Sequence, residues 1–320
     1  MTSAEQVIEW SKVTKARSNN FLEINLTGDD INATIKDDDG CFDFRMFHIK
    51  NLNTLGICHS NIKAIPDAIG GLKNLINISF YNNKIITLPP TINQLVNLKN
   101  IDLSGNSITH LPDDIFLNCH SLESINISNN CLEKLPDLKS LTKLHHLRVP
   151  YNKLERFPPS LTVCEKLLTL DFANNKVKYL PLSVGNLVSL KTLRGSNNKL
   201  AFLPSSVANL KKLIDVFLDG NEFGGDRKLK KLATKLPMNT KSLYEYAGKL
   251  KDPSEEMIEK IFEAADEAAV TSEEEEVEEV AKKVEEVTIK VCDKDENPLT
   301  EANPAFFLHI LVNRRSYYEN

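Results

Sequence analysis

At 320 residues the chain is long enough for one to three domains and a sizeable core. Its formal net charge of −5, from 39 Lys and Arg against 44 Asp and Glu, excludes a uniformly basic nucleic-acid binder. The six cysteines (Cys41, Cys58, Cys119, Cys131, Cys164 and Cys292) form no CxxC pair and lie far apart, so they read as free thiols of a reducing compartment, not a disulfide framework or zinc site.

The opening MTSAEQVIEWSKVTKARS has no apolar leader core, and the longest near-apolar run, residues 305–312, is far shorter than the roughly 18 residues a membrane helix needs. A cytoplasmic protein with no membrane association is expected. The Asn-x-Ser/Thr triplets at Asn25, Asn32, Asn77 and Asn126 then carry no glycosylation meaning.

In chain order, residues 3–18 predict an amphipathic capping helix within a unit 1–20, with Ser3 as N-cap and Val7, Trp10 and Val13 three apart. Next comes an internal repeat. The frame LxxLxLxxNxL starts at Leu52, Leu75, Leu98, Leu122, Leu144, Leu167, Leu190 and Leu213, with spacings of 23, 23, 24, 22, 23, 23 and 23. A degenerate copy starts at Phe21, followed by an insertion over 32–51. Alternation within LxLxx predicts one half-buried strand per repeat and a parallel sheet. The ninth-position asparagines (Asn83, Asn106, Asn130, Asn152, Asn175, Asn198, Asn221) are suited to bonding buried backbone groups, and Leu-Pro then turns the chain.

On this frame the chain resembles the leucine-rich-repeat family, in the class whose repeats end in Leu-Pro. The resemblance implies an α/β solenoid, a horseshoe with a parallel concave sheet over 21–225 and a capped end. Cap residues 226–252 are basic, with 8 Lys and Arg against 3 acidic side chains, and Leu229, Leu232 and Leu236 are expected on one sealing face. Residues 253–287 reverse the charge, 3 basic against 14 acidic, and read as a solvated helix or a disordered linker. Residues 288–320 alternate like a strand (VTIKVCD), turn at DKDENP, and end in a second apolar run. They are too few for their own core, and so are either an add-on or the start of a further domain. GNEFGGDRKLKKL, SLYEYAGKL, the charged linker and DENPLT together resemble the family of leucine-rich repeat-containing protein 47. There the linker leads to a B3/B4 domain like that of the phenylalanyl-tRNA synthetase β subunit, which implies a translation- or tRNA-linked role; this chain would hold only that domain's beginning.

Catalytic patterns are nearly absent. Gly220 to Gly225 has phosphate-loop glycine spacing, but Asp226-Arg227 stand where Lys-Ser/Thr is needed. Cys119-His120 and His145-His146 are adjacent pairs that cannot chelate one ion together. No enzyme activity, cofactor or metal is expected. The binding surface falls to the solvent face of the sheet, with Tyr81, Asp102, His146, Arg148, Tyr151, Asp171, Arg194 and Phe217 as candidates, since Arg and Tyr are enriched at binding hot spots. Arg148 and Arg194 could equally pair with Asp171 between them. Pro150, inside a strand, and Gly195, in place of an inward Leu, mark repeats five to seven as irregular, with a packing deficit expected at Gly195. A protein partner on the concave face of a monomer is the leading expectation. The alternative is RNA or an acidic partner on Arg227, Lys228, Lys230, Lys231 and Lys235, which could instead be the wet side of the cap.

Overall fold

The computed structural model describes residues 10–31, 43–223 and 226–252. The Ser3 cap, most of the insertion, Gly224-Gly225, Cys41, Cys292, the acidic block and residues 288–320 lie outside them.

Nine strands form one sheet in sequence order, every neighbouring pair parallel. They are β1 (Glu23–Thr27), β2 (Thr54–Cys58), β3 (Asn77–Ser79), β4 (Asn100–Asp102), β5 (Ser124–Asn126), β6 (His146–Arg148), β7 (Thr169–Asp171), β8 (Thr192–Arg194) and β9 (Asp215–Phe217). The repeat frame sets the register, so that Ile78, Ile101, Ile125, Leu147, Leu170, Leu193 and Val216 face one another in turn and are buried. Most strands are three residues long because the frame leaves the sheet at once. Every eighth position turns left-handed: His59, Asn82, Gly105, Asn129, Tyr151, Asn174, Asn197 and Gly220 have φ between 51° and 67°.

The ninth-position Asn closes each turn. Asn130 shows the pattern: its Nδ2 donates to Leu103 O (3.0 Å) and Ile127 O (3.2 Å), while its Oδ1 accepts from Ile108 N (2.9 Å). One side chain thus satisfies backbone groups of two successive repeats, groups that would each cost about 1–3 kcal/mol if buried unpaired. Asn152, Asn175 and Asn198 repeat it. In the first regular repeat Ser60 stands at this position and bonds Asn83. On the convex side Phe157-Pro158, Leu180-Pro181 and Leu203-Pro204 lead into single 3-10 turns in repeats five to seven, Pro159–Val163, Val184–Asn186 and Ser205–Asn209.

Both ends of the sheet are covered. Helix α1 (Ser11–Asn19) buries Val13 and Ala16, with Trp10 buried at its start. Trp10 N donates to the buried Asp43 carboxylate (2.8 Å), which Arg45 grips through Nε (2.8 Å) and an Nη (2.7 Å). A one-turn helix, α2 (Gly28–Ile31), follows β1. At the far end α3 (Arg227–Ala233) is capped by Asp226, which accepts from Leu229 N (2.8 Å), and is followed by α4 (Thr240–Ala247). Of the expected sealing residues, Leu229 is buried and Leu232 packs against the core, but Leu236 does not. The helix stops at Ala233, which leaves Leu236 half exposed, while Ala233 and Met238 join Leu229 in the core.

Candidate binding face

The third, fifth, seventh and eighth positions of each repeat form the solvent side of the sheet. In the first five strands they hold mainly Asn, Ser, Thr and Gly, and from repeat five onward they gain His146, Arg148, Tyr151, Asp171, Arg194, Asp215, Phe217 and Asp219. No Lys occupies these positions in any repeat, so Arg148 and Arg194 supply the permanent positive charge of this face.

Strand register puts Arg148 opposite Asp171, Asp171 opposite Arg194, and Arg194 opposite Phe217. The expected alternative of a closed Arg-Asp-Arg triad is not what forms. Among the described residues neither Arg reaches Asp171 at ion-pair distance. The Asp171 carboxylate instead accepts from Ala173 N (3.2 Å), and the Arg194 guanidinium lies over the Phe217 ring, 5.6 Å from its centroid. Burial pushes the Asp171 carboxyl upward, against the Ala173 N–H and the pull of Arg194 and Arg148. Burial, with Arg148 and His145 nearby, lowers the His146 pKa, and its Nδ1 is buried without a hydrogen-bond partner. A neutral imidazole at neutral pH follows.

Pro150 lies beyond β6, not within a strand, and its missing N–H is matched by its neighbour Arg148. In three other repeats the fifth-position side chain accepts from the seventh-position N–H: Asp102 from Ser104 (2.9 Å), Asn126 from Ser128 (3.2 Å) and Asp171 from Ala173 (3.2 Å). Arg148 offers no acceptor and Pro150 offers no donor, so the exchange leaves nothing unpaired and frees the guanidinium for solvent. Tyr151 follows at the left-handed position with φ 55° and 57% exposure, where the other repeats use His, Asn or Gly. A bulky side chain there costs on the order of 1 kcal/mol or more. The backbone holds it through Tyr151 N to Ala173 O (2.9 Å) and Asn130 N to Tyr151 O (3.1 Å).

Gly195 leaves no packing deficit. A Cβ built there would lie 2.7 Å from Phe172 Cε2, so the Phe172 ring fills the space the missing Leu would have taken.

The candidates divide into two groups. His146, Arg148, Tyr151, Asp171, Arg194 and Phe217 lie on four adjacent repeats. Tyr81 stands three strands before β6, roughly 14 Å away at about 4.8 Å per strand, with its ring edge-on to His59 (4.7 Å between centroids). Asp102 is occupied by its own turn and by Asn126 Nδ2 (3.2 Å). On the cap, Arg227, Lys228, Lys230, Lys231 and Lys235 are exposed on the side of α3 and its exit away from Leu229. The sequence reading missed the strain at Tyr151, although an eighth position otherwise filled by His, Asn or Gly was a visible signal. Among the described residues no group of three or more His, Cys, Asp or Glu could hold a metal ion, and no helix is long and apolar enough to cross a membrane.

Residues 50–106 and 96–154 match the leucine rich repeat family model. No curated protein sequence matches the chain. Among solved structures, the Leptospira interrogans LRR protein LIC12759 is similar at 24% identity and a TM-score of 0.57, over 67% of this chain and 59% of that one. The PEPR1-AtPEP1 crystal structure is similar at 26% identity and a TM-score of 0.53, over 56% of this chain and 26% of that one. The chain thus spans less than two thirds of the length of the first and about a quarter of the second. The repeat frame, the nine-stranded parallel sheet and the match over residues 50–154 together give the described repeats the fold of a leucine-rich-repeat solenoid.

Proposed function

We propose that this chain is a non-enzymatic, monomeric, cytoplasmic scaffold that binds a protein partner through the concave sheet face of repeats five to eight. The observation that carries the reading is Tyr151, an aromatic side chain held in a left-handed turn and turned out to solvent beside an Arg148 that no carboxylate among the described residues reaches at ion-pair distance. Strain at an exposed aromatic residue is a cost that folding alone does not explain. Arg and Tyr are also the side chains on which interface energy concentrates. The solved neighbour named for a pair, PEPR1-AtPEP1, accords with a fold that serves recognition.

A second reading is favoured by the five exposed cations of the cap, Arg227, Lys228, Lys230, Lys231 and Lys235: contact with RNA or an acidic partner, in a translation-linked protein related to leucine-rich repeat-containing protein 47. Its B3/B4 element would begin in residues 288–320.

A pull-down from cytosolic extract with the full chain, with and without ribonuclease, separates the two. Under the scaffold reading a protein partner survives ribonuclease and is lost with Arg148→Glu/Arg194→Glu. Recovery that collapses with ribonuclease and ignores those substitutions refutes the scaffold and supports the cap.

A further inference from the structure

Repeat four is 22 residues long and has no 3-10 turn on its convex side, where repeats five to seven carry one each. Beside this thin repeat lies a cavity of about 400 Å³ with apolar walls from Leu135, Phe157, Pro181 and Leu182, and with Lys134 and Arg156 at its lining. The same edge of the solenoid is basic. The tenth to thirteenth positions of repeats four to seven hold Lys134, Lys153, Arg156, Lys176, Lys178 and Lys199 against Glu133 and Glu155. Five of these six cations are exposed, Lys134 in a solvent-open pair with Asp113 (3.4 Å) that a second carboxylate can share; Lys178 is half-buried and pairs with Glu155 at 3.1 Å.

The described chain ends at this edge. Asp252 accepts from Ser205 N (2.6 Å) and Ser205 Oγ (2.8 Å), at the start of the seventh-repeat turn. Ser205 occupies the same place in its repeat as Leu182 and Pro159, both of which line the cavity one and two repeats earlier. Two repeats correspond to roughly 10 Å at the strand spacing and more on the convex side. The next residues are PSEEMIEKIFEAADE, in which Met257, Ile258, Ile261 and Phe262 alternate with Glu255, Glu256, Glu259 and Glu263. Met257 lies five residues past Asp252 and Phe262 ten, a reach of up to about 17 Å and 33 Å in extended chain.

We infer that residues 255–263 dock in the cavity between repeats four and six of their own chain, Met257, Ile258, Ile261 and Phe262 covering Leu135, Phe157 and Leu182 while the glutamates meet Lys134 and Arg156. Anchorage at Asp252 makes the contact intramolecular, so modest apolar and charge contributions suffice. The site is distinct from the concave face, and its occupant is named.

Zero-length carbodiimide cross-linking of the full chain, mapped by mass spectrometry, tests this directly. The expected product joins Lys134 to a glutamate of 255–263, with a yield unchanged across about a tenfold dilution and reduced at least about fivefold at high salt. Ile261→Ser/Phe262→Ser, which leaves the described core untouched, should lower that yield at least about fivefold at constant charge. Links from 255–263 only to Lys228, Lys230, Lys231 or Lys235 would overturn the proposal in favour of the cap. A Lys134 product that fades on dilution would assign the cavity to a second molecule and overturn it equally, as would no product at all. None of these outcomes bears on Arg148 and Arg194, so the scaffold reading stands or falls separately.

Discussion

The ring of Phe172 sits over the Cα of Gly195, one repeat further on, at the place where neighbouring repeats carry Leu103, Ile127, Val149 or Leu218. Both positions are buried, and Phe172 also packs edge-on against Phe157 (5.2 Å between centroids). A large and a small side chain thus share the volume of two average ones. Gly195→Leu should destabilise the array by about 1–3 kcal/mol through overpacking, and Phe172→Ala by about 3–5 kcal/mol through the cavity it opens. Phe172→Leu/Gly195→Leu should recover most of the loss, a coupling that urea titration of the single and double variants measures directly.

The ninth-position asparagines carry a different kind of stability. Asn152 Nδ2 donates to Ile127 O (2.8 Å) and Val149 O (3.1 Å), and its Oδ1 accepts from Leu132 N (2.9 Å). Asn152→Leu keeps the branched shape and heavy-atom count but leaves these buried backbone groups unpaired, so a loss of about 2–4 kcal/mol is expected. Exchange of the Leu132 amide should accelerate more than that of amides two repeats away, because each repeat contacts only its neighbours.

The repeat frame in the sequence made the strands, the sheet order and the asparagine ladder legible, because one spacing repeated eight times overdetermines its own reading. What depends on pairs in different repeats was not legible. Gly195 looked like a deficit because Phe172 stands 23 residues away, and Pro150 looked like a broken strand because the frame does not show that the sheet ends at Arg148. The cap was mistaken at Leu236 for a similar reason: helical spacing continues through the sequence, whereas the helix stops at Ala233. On the candidate binding face, residue types were legible, but whether Arg148 and Arg194 close on Asp171 is set by distances of a few ångströms.

Acid should loosen the first cap before the central repeats. Burial would raise the Asp43 carboxyl, but hydrogen bonds from Arg45 and Trp10 N outweigh it and hold it below the ordinary value of 3.8. A carboxyl whose folded pKa is depressed contributes stability above its unfolded pKa and loses it as pH falls through the folded one. The contribution should therefore be intact at neutral pH, begin to fall as pH approaches the ordinary carboxyl value of 3.8, and vanish only once pH drops below the lowered folded value. Asp43→Asn should shift the Trp10 fluorescence transition toward lower denaturant at neutral pH, with the difference from wild type narrowing progressively as pH falls from the ordinary carboxyl value through the lowered folded one.

Tyr151 offers the sharpest separation of stability from function. Asparagine, which the flanking repeats use at this position, adopts the left-handed conformation with less strain. Tyr151→Asn should therefore leave the fold intact and stabilise it by about 1 kcal/mol. If the aromatic side chain is kept for recognition, the same variant should lose partner affinity by about 2 kcal/mol, roughly 30-fold, in the pull-down that scores Arg148→Glu/Arg194→Glu. A rise in melting temperature together with a loss of capture is the expected pair of results. A rise in melting temperature with capture unchanged would remove Tyr151 from the interface and leave its strain unexplained. Tyr151→Phe, which keeps the ring and the strain, should change neither stability nor capture by much, so the comparison separates the ring from the backbone that holds it.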